Sequence, residues 1–227
     1  MTARSIITID GAAGTGKSSV AQLLAKRIGA GCLDSGAMYR AVAVLAKDYE
    51  IDPKDGPMLA AKVNDVGVSF NWNNDPPTVM LGGVDVSERI RELDISGIVS
   101  SVAKQPEVRA VLMNQQRIIA STHPLLVTEG RDQGSVVFPE AVVRFFLEAD
   151  FEERTKRRTK QLLEAGKDVH PDVVAEDIKN RDRIDTTRSD GPLICAEGAV
   201  VINTSSQSLE EVVETMERIV RDAMKGS

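Results

Sequence analysis

Residues Gly11-Ala12-Ala13-Gly14-Thr15-Gly16-Lys17-Ser18 satisfy the pattern G-x-x-x-x-G-K-[ST] at every fixed position. These types at this spacing can hold a nucleoside triphosphate. Glycine admits positive φ and lets bare backbone approach a phosphate. Successive N–H groups then form an anion nest, and the following helix adds the positive end of its dipole. Lys17 is expected to reach the β- and γ-phosphates as a point charge, and Ser18 to offer its hydroxyl to Mg²⁺. The flanks agree: an apolar, β-branched run at Ile6–Ile9 precedes the glycines, and a helical pattern over 19–28 follows them. A Gly-rich turn that binds nothing is the plain alternative, and these flanks argue against it. A dinucleotide fingerprint fits less well, because Ser19 stands where its third glycine belongs.

A second set of residues could serve the same chemistry. Arg40, Arg131, Arg154, Arg157, Arg158, Arg181, Arg183 and Arg188 occur in a chain of formal charge −6. A guanidinium binds two oxygens of a phosphoryl group at once. Arg131 follows an expected strand beside the glycine loop, where a binding role is favoured. Arg154 and Arg158 are four residues apart and share a helix face. For Arg157 and Arg183 a solvated helix with internal ion pairs explains the sequence equally well. Glu129 ends the strand before Gly130, where an acid can help hold Mg²⁺ or simply edge the core. Spacing alone assigns nothing to Asp85, Ser100, Arg109, Asp132 or Asp185.

Composition narrows the setting. A net negative chain is not built for general nucleic-acid or membrane-surface binding. Two cysteines, Cys32 and Cys195, make no disulfide framework, and two histidines leave little for a histidine-based metal site or triad. The start of the chain, with a single early Arg4, carries no secretory pattern, and no stretch reads as a membrane span. The expected location is the cytoplasm.

The elements that must position these residues alternate along the chain. Strands are expected at 6–9, 30–33, 125–129, 142–147 and 199–203, and helices at 19–28, 37–46, 94–103, from Pro106 to a break at Pro124, from Asp150 onward and over 208–223. Asp34 and Ser208 read as helix caps, and Asp150 with Glu153 as a capping box. Residues 52–98 differ: Asp52-Pro53 and Gly56-Pro57 punctuate, and short alternating runs at 66–71, 78–81 and 84–86 read as a small antiparallel meander. Residues 154–190 are charged and poor in apolar positions. Five apolar strands separated by helices predict an α/β fold with a doubly wound parallel sheet, with ligands at the carboxyl ends of its strands.

Four motifs occur in order: Asp10 with the glycine loop, Leu33-Asp34-Ser35-Gly36-Ala37-Met38-Tyr39-Arg40, Glu129-Gly130-Arg131-Asp132-x-Gly134-Ser135-Val136-Val137-Phe138-Pro139, and Arg181-Asp182-x-x-Asp185-x-x-Arg188. Together they resemble the bacterial cytidylate kinases, P-loop nucleoside monophosphate kinases, over nearly the whole chain. The resemblance implies a P-loop NTPase-type fold in a single domain over 1–227, with a core of 1–62, 99–153 and 191–227, a nucleoside-monophosphate-binding insert at 63–98 and a helical lid at 154–190. It implies transfer of the γ-phosphoryl group of ATP to CMP or dCMP, with Mg²⁺. ATP contacts would come from Gly11, Ala12, Ala13, Gly14, Thr15, Gly16, Lys17, Ser18, Ser19 and Arg157. Ser35, Arg40, Arg131 and Arg188 would hold the CMP phosphate. Ser100, Arg109 and Asp132 would read the cytosine, and Asp185 with Arg181 the sugar hydroxyls. Catalysis would fall to Lys17, Arg131, Arg154, Arg158 and Arg188. The chain departs from many members at Ala12-Ala13 and Ser18-Ser19, and from some in having Glu129 rather than aspartate. A monomer is the family expectation. Another P-loop nucleoside monophosphate or small-molecule kinase is the alternative within the class; a GTPase-like switch lacks its N-K-x-D motif here.

Overall fold

The computed structural model describes residues 5–225; Arg4 and the ends of the expected domain, 1–4 and 226–227, lie outside the described residues. Five strands form one sheet: β1 (Ser5–Gly11), β2 (Gly31–Asp34), β6 (Leu125–Gly130), β7 (Val143–Glu148) and β8 (Val200–Asn203), in the order β2-β6-β1-β7-β8. The central β1 is buried on both faces, as expected of a β-branched run in a parallel sheet. Its register places Asp10 opposite Gly130 and Gly11 opposite Leu147. The carboxyl ends of β1 and β6 therefore finish side by side, and the segments that leave them start as neighbours.

The chain divides into two compact units, one made of residues up to Gly31 with those from Leu125 onward, the other of Cys32–Pro124. In the first, α1 (Lys17–Ile28) packs against β1, β6 and α8 (Leu209–Lys225). Val20, Leu24, Val212, Val213, Met216 and Val220 are buried there. Gly29, at φ 67, ends α1 as the sequence predicts. Ahead of α8, Ser208 Oγ accepts from the Glu211 amide at 3.3 Å while the Glu211 carboxylate accepts from the Ser208 amide at 2.8 Å, a complete capping box. Ser208→Ala is expected to cost about 1 kcal/mol and to lower the melting temperature by about 2–4 °C, measured by thermal denaturation. The charged tract contains α6 (Phe151–Glu164) and α7 (Pro171–Thr187), which pack on each other through Leu162, Val174 and Ile178.

The second unit holds α2 (Ser35–Asp48), α3 (Gly56–Val66), α4 (Leu93–Val102), α5 (Pro106–Thr122) and the meander β3 (Val68–Asn71), β4 (Thr78–Leu81), β5 (Val84–Asp85). The antiparallel pairing is as expected, with Val68 opposite Leu81 and Met80 opposite Asp85. Asp34 caps α2, its carboxylate accepting from the Ala37 amide at 2.9 Å.

Three local features depart from expectation. Helix α3 was not anticipated, because Gly56-Pro57 reads as a break. Pro57 instead sits at the helix start, where no N–H is needed, and Asp55 caps it by accepting from the Met58 amide at 3.0 Å. Asp150 makes no side-chain cap for α6, and Glu153 closes no box: its carboxylate accepts from Arg157 Nε at 2.9 Å. Between β6 and β7, where the sequence assigns no element, a π-helical turn forms at Gln133–Val137.

Candidate active site

The glycine loop lies at the carboxyl end of β1, between strand and helix as predicted. Gly14 and Gly16 take φ 81 and φ 88, values that Cβ-bearing residues rarely adopt. An added Cβ at Gly14 would also come within 3.0 Å of the Arg154 carbonyl oxygen. The first turn of α1 contains no acidic residue, so its dipole end is left for an external anion. Lys17 is only 6% exposed. Its ammonium donates to the Ala12 carbonyl at 2.7 Å, and Thr15 Oγ1 donates to the same carbonyl at 3.0 Å. Burial, and then the charge of Arg131, lowers the Lys17 pKa from 10.5 to about 7; Glu129, Asp10 and Asp185 oppose the shift. Ser18 Oγ donates to Glu129 Oε1. A hydroxyl and a carboxylate thus meet at the start of α1, oxygen donors of the kind a hard cation takes. Among the described residues no three His, Cys, Asp or Glu side chains gather as a metal-ligand cluster.

Most of the arginines singled out from sequence converge on this end of the sheet. Arg131 leaves β6 and donates through Nε to Asp185 Oδ2 at 2.8 Å. Arg188 lies 3.6 Å from Asp132, both side chains almost fully buried. Arg154 on α6 donates to the Ala13 carbonyl of the glycine loop at 3.1 Å and to Asp182 Oδ2 at 2.7 Å. Arg157 donates to Thr204 Oγ1 at 3.0 Å, and that hydroxyl lies 3.1 Å from the Thr15 carbonyl, which accepts from it. Arg158 and Arg181 are held below the usual arginine range by burial and then by like charge, Arg158 facing Arg181 and Arg181 facing Arg131. Arg183, by contrast, points to solvent and donates to Asn180 at 3.0 Å, which is the plain solvated-helix reading.

The remaining candidates lie in the second unit. Ser35 is buried at the first position of α2. Arg40 donates to the Ile90 carbonyl at 3.2 Å and to Ser96 Oγ at 3.0 Å. Arg109 is fully buried, 3.4 Å from the Tyr39 hydroxyl, and Ser100 is half-buried on α4. A fully buried guanidinium is costly unless it serves a polar network or a ligand.

The sequence names Asp182 in the fourth motif without giving it a role, and it does not single out Thr204; these two hold Arg154 and Arg157. Their partners are 28 and 47 residues away in the chain, beyond any spacing rule.

The family model described as cytidylate kinase matches residues 7–222. A protein of Caldanaerobacter subterraneus subsp. tengcongensis named cytidylate kinase is 42% identical over 222 residues, covering 97% of this chain and 96% of its own. One of Aeromonas salmonicida, of the same name, is 39% identical and covers 93% and 91%. Among solved structures, an uncharacterized protein from Eubacterium ventriosum shares the fold with a TM-score of 0.53 at 12% identity, covering 96% of this chain and 99% of that one.

Proposed function

The chain belongs to the cytidylate kinase family, and from that premise we propose that it transfers the γ-phosphoryl group of ATP to CMP and dCMP, giving ADP with CDP or dCDP. The observation that carries the reading is the set of cations in one unit: buried Lys17 beside the glycine loop and opposed by Arg131, with Arg181 opposed by Arg131 and Arg158 by Arg181. Such a set is unfavourable by itself and becomes favourable around phosphate.

The glycine loop, from Gly11 to Ser19, takes the triphosphate, with Arg157 at its edge. Ser35, Arg40, Arg131 and Arg188 take the acceptor phosphate. Ser100, Arg109 and Asp132 read the cytosine, and Asp185 with Arg181 the sugar. Mg²⁺, bound by Ser18 and phosphate oxygens with Glu129 reached through water, would supply charge neutralisation at the β- and γ-phosphates. Residues 1–227 act as a single domain in this reading, the insert at 63–98 serving the acceptor and 154–190 serving as lid.

The acceptor oxygen is already anionic near neutral pH, so no strong general base is needed. It forms the new bond to the γ-phosphorus as the bond to the β,γ-bridging oxygen breaks. The residues' task is to bring two polyanions into line against their repulsion, through Lys17 and through Arg131, Arg154, Arg158 and Arg188. Covering the site by α6 and α7 would exclude water that could take the phosphoryl group instead. We place the protein in the cytoplasm as a monomer; among the described residues no helix is long and apolar enough to cross a membrane.

A substrate panel at fixed ATP tests the reading. CMP and dCMP are expected to exceed AMP and UMP in kcat/KM by at least about tenfold. Equal turnover of AMP and CMP would reject cytosine selectivity and favour another nucleotide or small-molecule kinase.

A further inference from the structure

Asp10 is the last polar side chain of β1 before the glycine loop, and it is almost fully buried. It does not turn toward the loop. Its Oδ1 accepts from the Gln133 amide at 2.9 Å and its Oδ2 from the Gly134 amide at 2.7 Å. Those amides open the π-helical turn Gln133–Val137, whose own preceding residue is Asp132. An aspartate there would ordinarily bend back and accept from the second or third amide of the turn, Gly134 or Ser135. Asp132 makes no such cap; its carboxylate lies toward Arg188.

The turn is pressed onto β1 from a second side. An added Cβ at Gly134 would lie 2.7 Å from Thr8 Oγ1 and 3.1 Å from Arg144 Cγ, so only glycine allows this approach. Thr128 Oγ1 donates to Gln133 Oε1 at 2.7 Å, tying the turn to β6 as well. Burial pushes the Asp10 pKa up to about 6, against the pull of the two amides that it satisfies and with the charge of Asp132 adding to the rise.

We propose that Asp10 is a positioning residue for the acceptor nucleotide: it caps the 133–137 turn in place of Asp132, so that Asp132 keeps its carboxylate for the ligand. The inference rests on the reading that Asp132 contacts CMP. The strut joins the strand that ends in the donor loop to the segment that carries Arg131 and Asp132.

The test is steady-state kinetics of Asp10→Asn, Gly134→Ala, Asp132→Asn and the Asp10→Asn/Asp132→Asn double variant, with CMP and ATP varied separately. Asparagine can accept only one of the two amide protons, and its NH₂ faces the other donor. Asp10→Asn and Gly134→Ala are each expected to raise the CMP KM by about tenfold or more while the ATP KM moves less than about threefold. Because Asp10 acts through Asp132, the double variant is expected to be little worse than Asp132→Asn alone. If Asp132→Asn raises the CMP KM but Asp10→Asn and Gly134→Ala do not, or if the two aspartate effects multiply, the positioning role is overturned. An equal rise in both substrates' KM also overturns it. If Asp132→Asn leaves the CMP KM unchanged, the underlying assignment of Asp132 fails instead. Gly134→Ala leaves the charge beside Lys17 intact and keeps the question answerable should Asp10→Asn fold poorly.

Discussion

Lys17→Met is expected to lower kcat by roughly 10²–10³ while making the unliganded protein more stable at pH 6. The first effect follows from removing the ammonium beside the loop proposed to take the triphosphate. The second follows from burial. In the folded protein Lys17 has its pKa lowered to about 7, against 10.5 when free of the fold. Between those values the unfolded chain binds the additional proton, so stability rises with pH across that window. Below about pH 7 the folded protein carries the full cost of a buried charge, and methionine removes it. The melting temperature of the variant should exceed the parent's by about 5 °C at pH 6, with the gap closing toward pH 10. Thermal denaturation as a function of pH, alongside steady-state turnover, checks both halves. A folded variant with near-parental kcat would remove Lys17 from the reaction, and a gap independent of pH would contradict the buried-charge account.

Asp132→Asn is expected to raise the CMP KM by roughly 10–100-fold and to compress the preference for CMP over UMP, with the ATP KM little changed. Asparagine keeps the volume and loses the charge opposite Arg188, 3.6 Å away. A neutral amide presents a donor where the carboxylate presents only acceptors, so it should discriminate poorly against a base that lacks the cytosine amino group. Kinetics with the four ribonucleoside monophosphates, together with melting curves that report folding, measure the effect. Unchanged CMP kinetics in a stable variant would take Asp132 out of the base site.

The glycine loop was legible because its chemistry demands fixed residue types at fixed spacing, and the five strands were legible because a doubly covered sheet demands apolar runs. Helix α3 was not, since Gly56-Pro57 carries the same letters whether it breaks a chain or opens a helix; only the Asp55 cap and the buried Leu59, Ala60 and Val63 distinguish the two. The failed cap at Asp150 has a related cause: Glu153 can pair forward with Arg157 as readily as back with the helix start. Candidate residues were legible where a motif names them. Their pairings were not, even where a motif names both residues: Asp10 meets Gln133 across 123 residues of chain, and Asp182 meets Arg154 across 28. Side-chain pairs that the fold creates leave no period in the sequence.

Arg158 and Arg181, which ride on the paired helices α6 and α7, oppose each other, and Arg181 also opposes Arg131 at the exit of the sheet, itself paired with Asp185 of α7. In the proposed reading an entering phosphate would relieve that opposition, so the cargo itself would favour the helices settling over it. A water molecule carries no charge with which to do the same. On the proposed reading, a true acceptor would be told from solvent before any bond is broken, and idle consumption of ATP would be held in check by electrostatics as well as by shape.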